Sequence, residues 1–229
     1  KIMTKRFGFT LAEVLITLGI IGVVAAMTMP TLMNQTNGAQ YKAAYKKALS
    51  ALSQAVTLNV ALDEWNFADA ASGSIDGSYG IGSMLKSRMN VVRSACASGC
   101  TDAIANVKDA KGNAYAVSGD PAGVGTSTTT TGIADNVTLF FNDGMMFTFP
   151  AGDGSKACTK AEGATEKVCR GYIDVNGTKA PNKFVKCDNA SASATDCQIK
   201  SPTDVYPVIF YDQTVLPGSV AARAVLYNK

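Results

Sequence analysis

The chain holds 229 residues, enough for one ordinary domain and an added element, and its 47% hydrophobic and 17% charged composition excludes a disordered chain. A formal charge of +3 excludes the basic balance expected of a nucleic-acid binder. A chain with no His at all also lacks the side chain most used for acid-base work near neutral pH.

From Phe9 to Met33 the only charged side chain is Glu13, whereas the remainder is a mixed, Gly- and Ser/Thr-rich sequence. Phe9 to Met29 is 21 residues. As a helix rising about 1.5 Å per residue it covers roughly 30 Å, the thickness of a bilayer core. A secretory signal has a shorter apolar core of about 7 to 15 residues and a small-x-small cleavage site, and none stands out here. Lys5 and Arg6 precede the run, so the positive-inside bias keeps the N-terminus in the cytoplasm and sends the bulk of the chain across.

The helical pattern resumes after Pro30, where Tyr41, Tyr45, Ala48, Leu52, Ala55, Val56 and Asn59 recur at three- and four-residue steps. One helix is expected to run to about Leu62. Pro30 lacks a backbone donor and Gly38 costs about 1 kcal/mol relative to Ala, so a kinked or locally melted stretch is predicted between them. The basic cluster "YKAAYKK" at Tyr41 to Lys47 reads as a solvated helix face rather than a nucleic-acid contact.

A second amphipathic helix fits "IGSMLKSRMNVVRSAC", with Ile81, Met84, Leu85, Met89 and Val92 at helical spacing. "SGDPAGVGTSTTTTG", residues 118–132, is a low-complexity loop. Strands follow. "VTLFFNDGMMFTF" places two β-favouring runs around Asn142-Asp143-Gly144, a hairpin expected mid-sheet. "GYIDVNG" is a strand ending in an Asn-Gly turn, and "VYPVIFYDQTVLPG" is a further strand whose Pro207 points to an edge or a bulge. The last run, "VAARAVLY", fits either strand or helix and is read as strand.

Cys96, Cys100, Cys158, Cys169, Cys187 and Cys197 form an even set of six beyond the apolar run. Their clustering favours the local pairs 96 with 100, 158 with 169 and 187 with 197, although six cysteines permit 15 connectivities. Zinc is the rival reading, but the spacings contain no C-x2-C knuckle, so disulfides and an oxidising compartment are expected. There is no Gly-x-Ser-x-Gly, no Walker loop and no telling carboxylate pair, so catalysis is not expected.

The stretch "GFTLAEVLITLGIIGVVAAMTMP" resembles the N-terminal signature of type IV pilins and type II secretion pseudopilins, over about 25 residues. The resemblance implies that prepilin peptidase cuts after Gly8 and that the new N-terminal Phe9 is methylated. It implies that Glu13, the fifth mature residue, meets the Phe9 amine of a neighbouring subunit, so that an acid unpaired in the monomer becomes paired in a filament. It also implies that Pro30 kinks the helix near the end of the span. The sequence opens at Lys1, so residues 1–8 are expected to be a partial leader. Losing Lys1, Lys5 and Arg6 leaves 18 basic side chains against 18 acidic ones, and a role in DNA uptake is not favoured.

Some pseudopilins hold calcium in a C-terminal loop, which singles out Asp174 and Asn176, with Asn182 as a further oxygen donor, in "DVNGTKAPN". The ordinary reading of that stretch is an Asn-Gly turn, and no other cofactor is expected. The implied fold is α+β, a long N-terminal helix packed on an antiparallel sheet of about four strands. Residues 1–8 are then leader, 9–33 the transmembrane and assembly half of the helix, 34–62 its head half, and 63–229 a disulfide-containing soluble head. The implied protein is a structural subunit of a type IV pilus-like filament or a type II pseudopilus. Its partners would be homologous subunits, prepilin peptidase, the membrane and an inner-membrane assembly platform. It would sit in the inner membrane with an extracytoplasmic head, and later in a filament in the periplasm or at the cell surface. The competing reading is a membrane-anchored extracytoplasmic binding module, for which Glu13 would be dispensable.

Overall fold

The computed structural model describes residues 8–63, 65–70, 80–96, 99–119, 136–150, 158–159, 168–189, 196–199 and 202–227. The leader as far as residue 7 lies outside the described residues, as does the predicted loop from residue 120 on. Helix α1, Leu11–Asp63, is unbroken through Pro30 and Gly38, about 80 Å long at 1.5 Å per residue. No melted stretch is present between them.

The head half of α1 buries the face that its periodicity marks. Tyr45, Ala48, Leu52, Ala55, Val56 and Asn59 are all buried, and Tyr41 is half-buried. Each large apolar side chain so buried contributes about 1.5–3 kcal/mol. Asn59 is the polar member and is satisfied. Its Nδ2 donates to Met84 O at 3.0 Å, while its Oδ1 accepts from Arg88 Nε at 3.2 Å. Arg88 also pairs with Asp63, so the end of α1 is fastened to helix α2, Ile81–Arg88. That helix is shorter than its apolar spacing suggests. Met89 is already extended, and the residues beyond it form strand β1, Val91–Cys96, leaving Val92 exposed rather than in the core.

Among the described residues seven strands form one sheet, more than the four expected: β1, β2 (Asp102–Ala103), β3 (Asn136–Phe141), β4 (Met146–Pro150), β5 (Cys169–Asp174), β6 (Val205–Tyr211) and β7 (Thr214–Pro217). Their spatial order is β2-β1-β3-β4-β5-β6-β7, antiparallel except between β1 and β2. The β3–β4 hairpin does sit mid-sheet, with Phe140 opposite Met146. Gly144 closes its turn at φ +85°, a left-handed conformation that favours glycine. Lys47 of α1 meets the same turn at Asp143, 2.9 Å away.

"VYPVIFYDQTVLPG" is a hairpin rather than one strand. Its turn is made by Asp212 at φ +46°, a position without the usual glycine, which hid it from sequence reading. Pro207 is opposite Tyr172 in a strand flanked on both sides, but β7 ends at the pair Val208–Pro217, so Pro207 lies just beyond the β6–β7 ladder. The last run is also corrected. Val220–Tyr227 is helix α3, with Ser219 as its cap through Ala222 N–H to Oγ at 3.1 Å.

Alternation along the strands sends Val137, Leu139, Phe147, Phe149, Ile173, Tyr206, Val208 and Phe210 into the core shared with α1. The opposite face is covered too. Met146 packs with Ala95, Val107 and Tyr115, and Tyr172 packs with Phe184 and Val205. Two buried faces explain why these strands read as nearly continuous apolar runs. All six cysteines are paired as their clustering favoured: Cys96–Cys100, Cys158–Cys169 and Cys187–Cys197.

Gly38 is buried where Pro202 crosses α1, and a Cβ there would lie 2.9 Å from Pro202 Cδ. The glycine permits a close approach instead of marking a weak point in the helix. Gly38→Ala is therefore expected to lower the thermal midpoint of the head, despite Ala being the better helix former by about 1 kcal/mol. A melting curve with an unchanged or raised midpoint would show that the loop does not press on the helix there.

Candidate processing and assembly site

Among the described residues nothing covers the start of the N-terminal site. Gly8 has no neighbour within 4 Å of where a side chain would start, and Phe9 is exposed. Both are accessible to a processing enzyme. Thr10 then caps α1 in a reciprocal arrangement. The Thr10 N–H and hydroxyl donate to Glu13 Oε2 at 2.9 and 2.7 Å, and Glu13 N–H donates back to Thr10 Oγ1 at 3.3 Å. This is a capping box, in which two of the helix's unpaired amides find partners at once.

Glu13 therefore takes its hydrogen bonds from neutral Thr10 groups of its own chain, neither of which brings an opposite charge. The Thr-x-x-Glu spacing of residues 10–13 carried that signal, and sequence reading missed it beside the apolar run.

From Leu11 to Pro30 the helix is long and apolar enough to cross a membrane, and none of that stretch is buried within the chain. Its polar residues are internally satisfied. Thr17 Oγ1 donates to Glu13 O and Val14 O, each at 2.9 Å, and Thr28 Oγ1 donates to Val24 O at 3.0 Å. In hydrocarbon a hydroxyl without such a bond would be costly. Leu11, Leu15, Ile16, Leu18, Ile20 and Ile21 are all exposed, an apolar surface that the head does not cover.

Asp174 and Asn176, singled out at the sequence level for calcium, adjoin at the end of β5. Asp174 is fully buried, and both its oxygens take hydrogen bonds from the protein: Tyr115 Oη–H at 2.7 Å and Asn176 N–H at 3.1 Å. The Asn176 side chain turns away, its Nδ2 donating to Ala180 O at 3.3 Å and Tyr41 Oη at 3.4 Å. Asn182 is buried on the far side of the loop, its N–H donating to Asp204 Oδ2 at 2.8 Å. Gly177, at φ +72°, completes the Asn-Gly turn. Among the described residues no group of three His, Cys, Asp or Glu side chains is placed to hold a metal.

A capped, uncovered apolar helix is joined without interruption to a disulfide-pinned α+β head, an arrangement that fits a membrane-anchored precursor. The particular signature is explicit: the family model described as prokaryotic N-terminal methylation motif matches residues 3–29, the prepilin signature of type IV pilins and pseudopilins. The motif supports a type IV pilin-like or pseudopilin precursor processed by prepilin peptidase, and with the apolar helix it fits a membrane-anchored precursor. No curated protein and no solved structure matches the chain significantly.

Proposed function

We propose that the chain is a non-enzymatic structural subunit of a type IV pilus-like filament or a type II secretion pseudopilus. Prepilin peptidase removes the leader after Gly8, Phe9 is methylated, and the subunit waits in the inner membrane. An assembly platform then moves it into a filament in the periplasm or at the cell surface, where α1 packs among homologous subunits. The observation that carries this reading is the coincidence of the methylation motif at residues 3–29 with an uncovered helix over Leu11–Pro30. The apolar surface that is buried nowhere within one chain gains cover first from lipid and then from other copies.

Intact mass and N-terminal sequencing of the membrane-extracted protein test the first step. The expected product starts at Phe9 and carries one added methyl group. A product starting near Lys1, or beyond Pro30, would refute the processing.

A further inference from the structure

Contacts with α1 fix which end of the head lies next to the apolar span. Pro202 sits against Gly38, and Asn176 Nδ2 donates to Tyr41 Oη at 3.4 Å and to Ala180 O at 3.3 Å. The residues after β5 and before β6 are therefore at this end, where Asp174 pairs with Val205 in the sheet. Because α1 runs unbroken from span to head, the height of this end is set by helix rise and not by a linker. At 1.5 Å per residue, Gly38 and Tyr41 stand roughly 12 and 16 Å past Pro30.

That end of the head is basic. Residues 175–187 include Lys179, Lys183 and Lys186, all exposed, and contain no acidic residue. Helix α1 adds the half-buried Lys42 and, one turn later, the exposed Lys46. Side chains on a helix lean toward its N-terminus, which here is toward the bilayer. The neighbouring acids are mostly spent. Asp174 and Asp204 are buried and take hydrogen bonds from Tyr115 Oη–H and Asn182 N–H, and Asp143 is engaged by Lys47. Among the described residues Asp188 and Asp196, beside the Cys187–Cys197 disulfide, are the exposed acids near this end.

Distance decides what such a surface can meet. A bilayer adds about 5–7 Å of headgroup region on each side of its hydrocarbon core. The level of Gly38 is then about 5–7 Å above the headgroups, within the screening length of about 8 Å at physiological ionic strength. Lysine stems are flexible and carry their charge across much of that gap. A free head would lose translational freedom on reaching a membrane, whereas a head held there by its own helix does not.

We propose that this basic end of the head is a docking surface for anionic phospholipid headgroups, with Lys179 and Lys183 as its main contacts and Lys42, Lys46 and Lys186 adding to the field. The proposal rests on the membrane-anchored reading of the span. It gives the waiting subunit a second hold on the bilayer besides its apolar helix, one that depends on lipid charge. Entry into a filament lifts the head from the surface and breaks this hold, so a more anionic membrane retains the subunit longer.

The test places the full chain in lipid nanodiscs, one set of phosphatidylcholine and one of an equimolar mixture with phosphatidylglycerol. Lysine amines are acetylated with acetic anhydride, a neutral reagent, and the rate at each site is read by mass spectrometry. Lys179 and Lys183 are expected to react roughly fivefold more slowly in the mixed bilayer. The difference is expected to vanish in about 1 M salt, where the screening length falls to about 3 Å. Lys86, on α2 beside the far end of α1, is expected to react alike in both. Equal rates at Lys179 and Lys183 in the two bilayers, with slow amide exchange over Leu11–Pro30 in both, would overturn the headgroup contact and leave the anchor standing. Fast exchange over Leu11–Pro30 would overturn both. A slowing that survives high salt would overturn charge as its cause. The same slowing in phosphatidylcholine discs on adding inorganic phosphate would overturn the lipid in favour of a soluble anion.

Discussion

Glu13→Ala is expected to leave processing and head folding intact while lowering filament yield by roughly tenfold or more, the scale of losing a charge-assisted hydrogen bond. The capping box gives the experiment its control. Thr10→Val removes both side-chain links to Glu13 but keeps the acid, so it weakens the helix cap without removing a charge from the assembly face. If the carboxylate serves assembly, Glu13→Ala abolishes filaments and Thr10→Val spares them. If it serves only to start the helix, the two variants behave alike. Filaments at normal yield with Ala at position 13 would end the pairing proposal and favour the membrane-tethered binding module. In the assembly reading the Phe9 amine of another subunit competes with the intramolecular Thr10 partners, so the cap holds the acid in readiness until that amine arrives.

The second large effect lies at the junction of helix and sheet. Tyr45 is fully buried, and its ring stacks on Tyr206 with centroids 4.1 Å apart and planes within 10°. Tyr45→Ala removes that ring and leaves a cavity, a change expected to cost about 3–5 kcal/mol and to lower the head's thermal midpoint on the order of 10 °C. Tyr45→Phe is the informative partner. It deletes only a buried hydroxyl that has no hydrogen-bond partner. It is therefore expected to be neutral or slightly stabilising. Calorimetry of both variants checks the pair, and a large loss for Phe would show that the hydroxyl is bonded after all.

Much of this organisation was legible where a physical period repeats in the sequence. Tyr45 through Asn59 announce their helix face because only one side of a helix can meet the sheet, and the residues at three- and four-residue steps are the ones buried. Asn142-Asp143-Gly144 announce a turn because few residues adopt its backbone, and the paired cysteines lie close in sequence. The illegible parts depend on contacts distant in sequence or on competing local signals. Gly38 looks like a helix breaker until Pro202 is seen against it. "VAARAVLY" is apolar enough for a strand, and its Ser219 cap decided for helix. Asp174 is one more strand-end acid until the covering segment brings Tyr115 over it. At the N-terminus the Thr10 cap was overshadowed by the apolar run that follows.

The unbroken helical course of α1 past Pro30 has a mechanical consequence. A helix without a melted joint between Pro30 and Gly38 transmits axial load. Traction applied at Phe9 is delivered to the head through Gly38 under Pro202 and then shared among Tyr45, Leu52 and Val56 in the core. The head is thus gripped along several turns of the rod that is pulled, and force reaches it as distributed shear across packed side chains rather than as tension on a single loop.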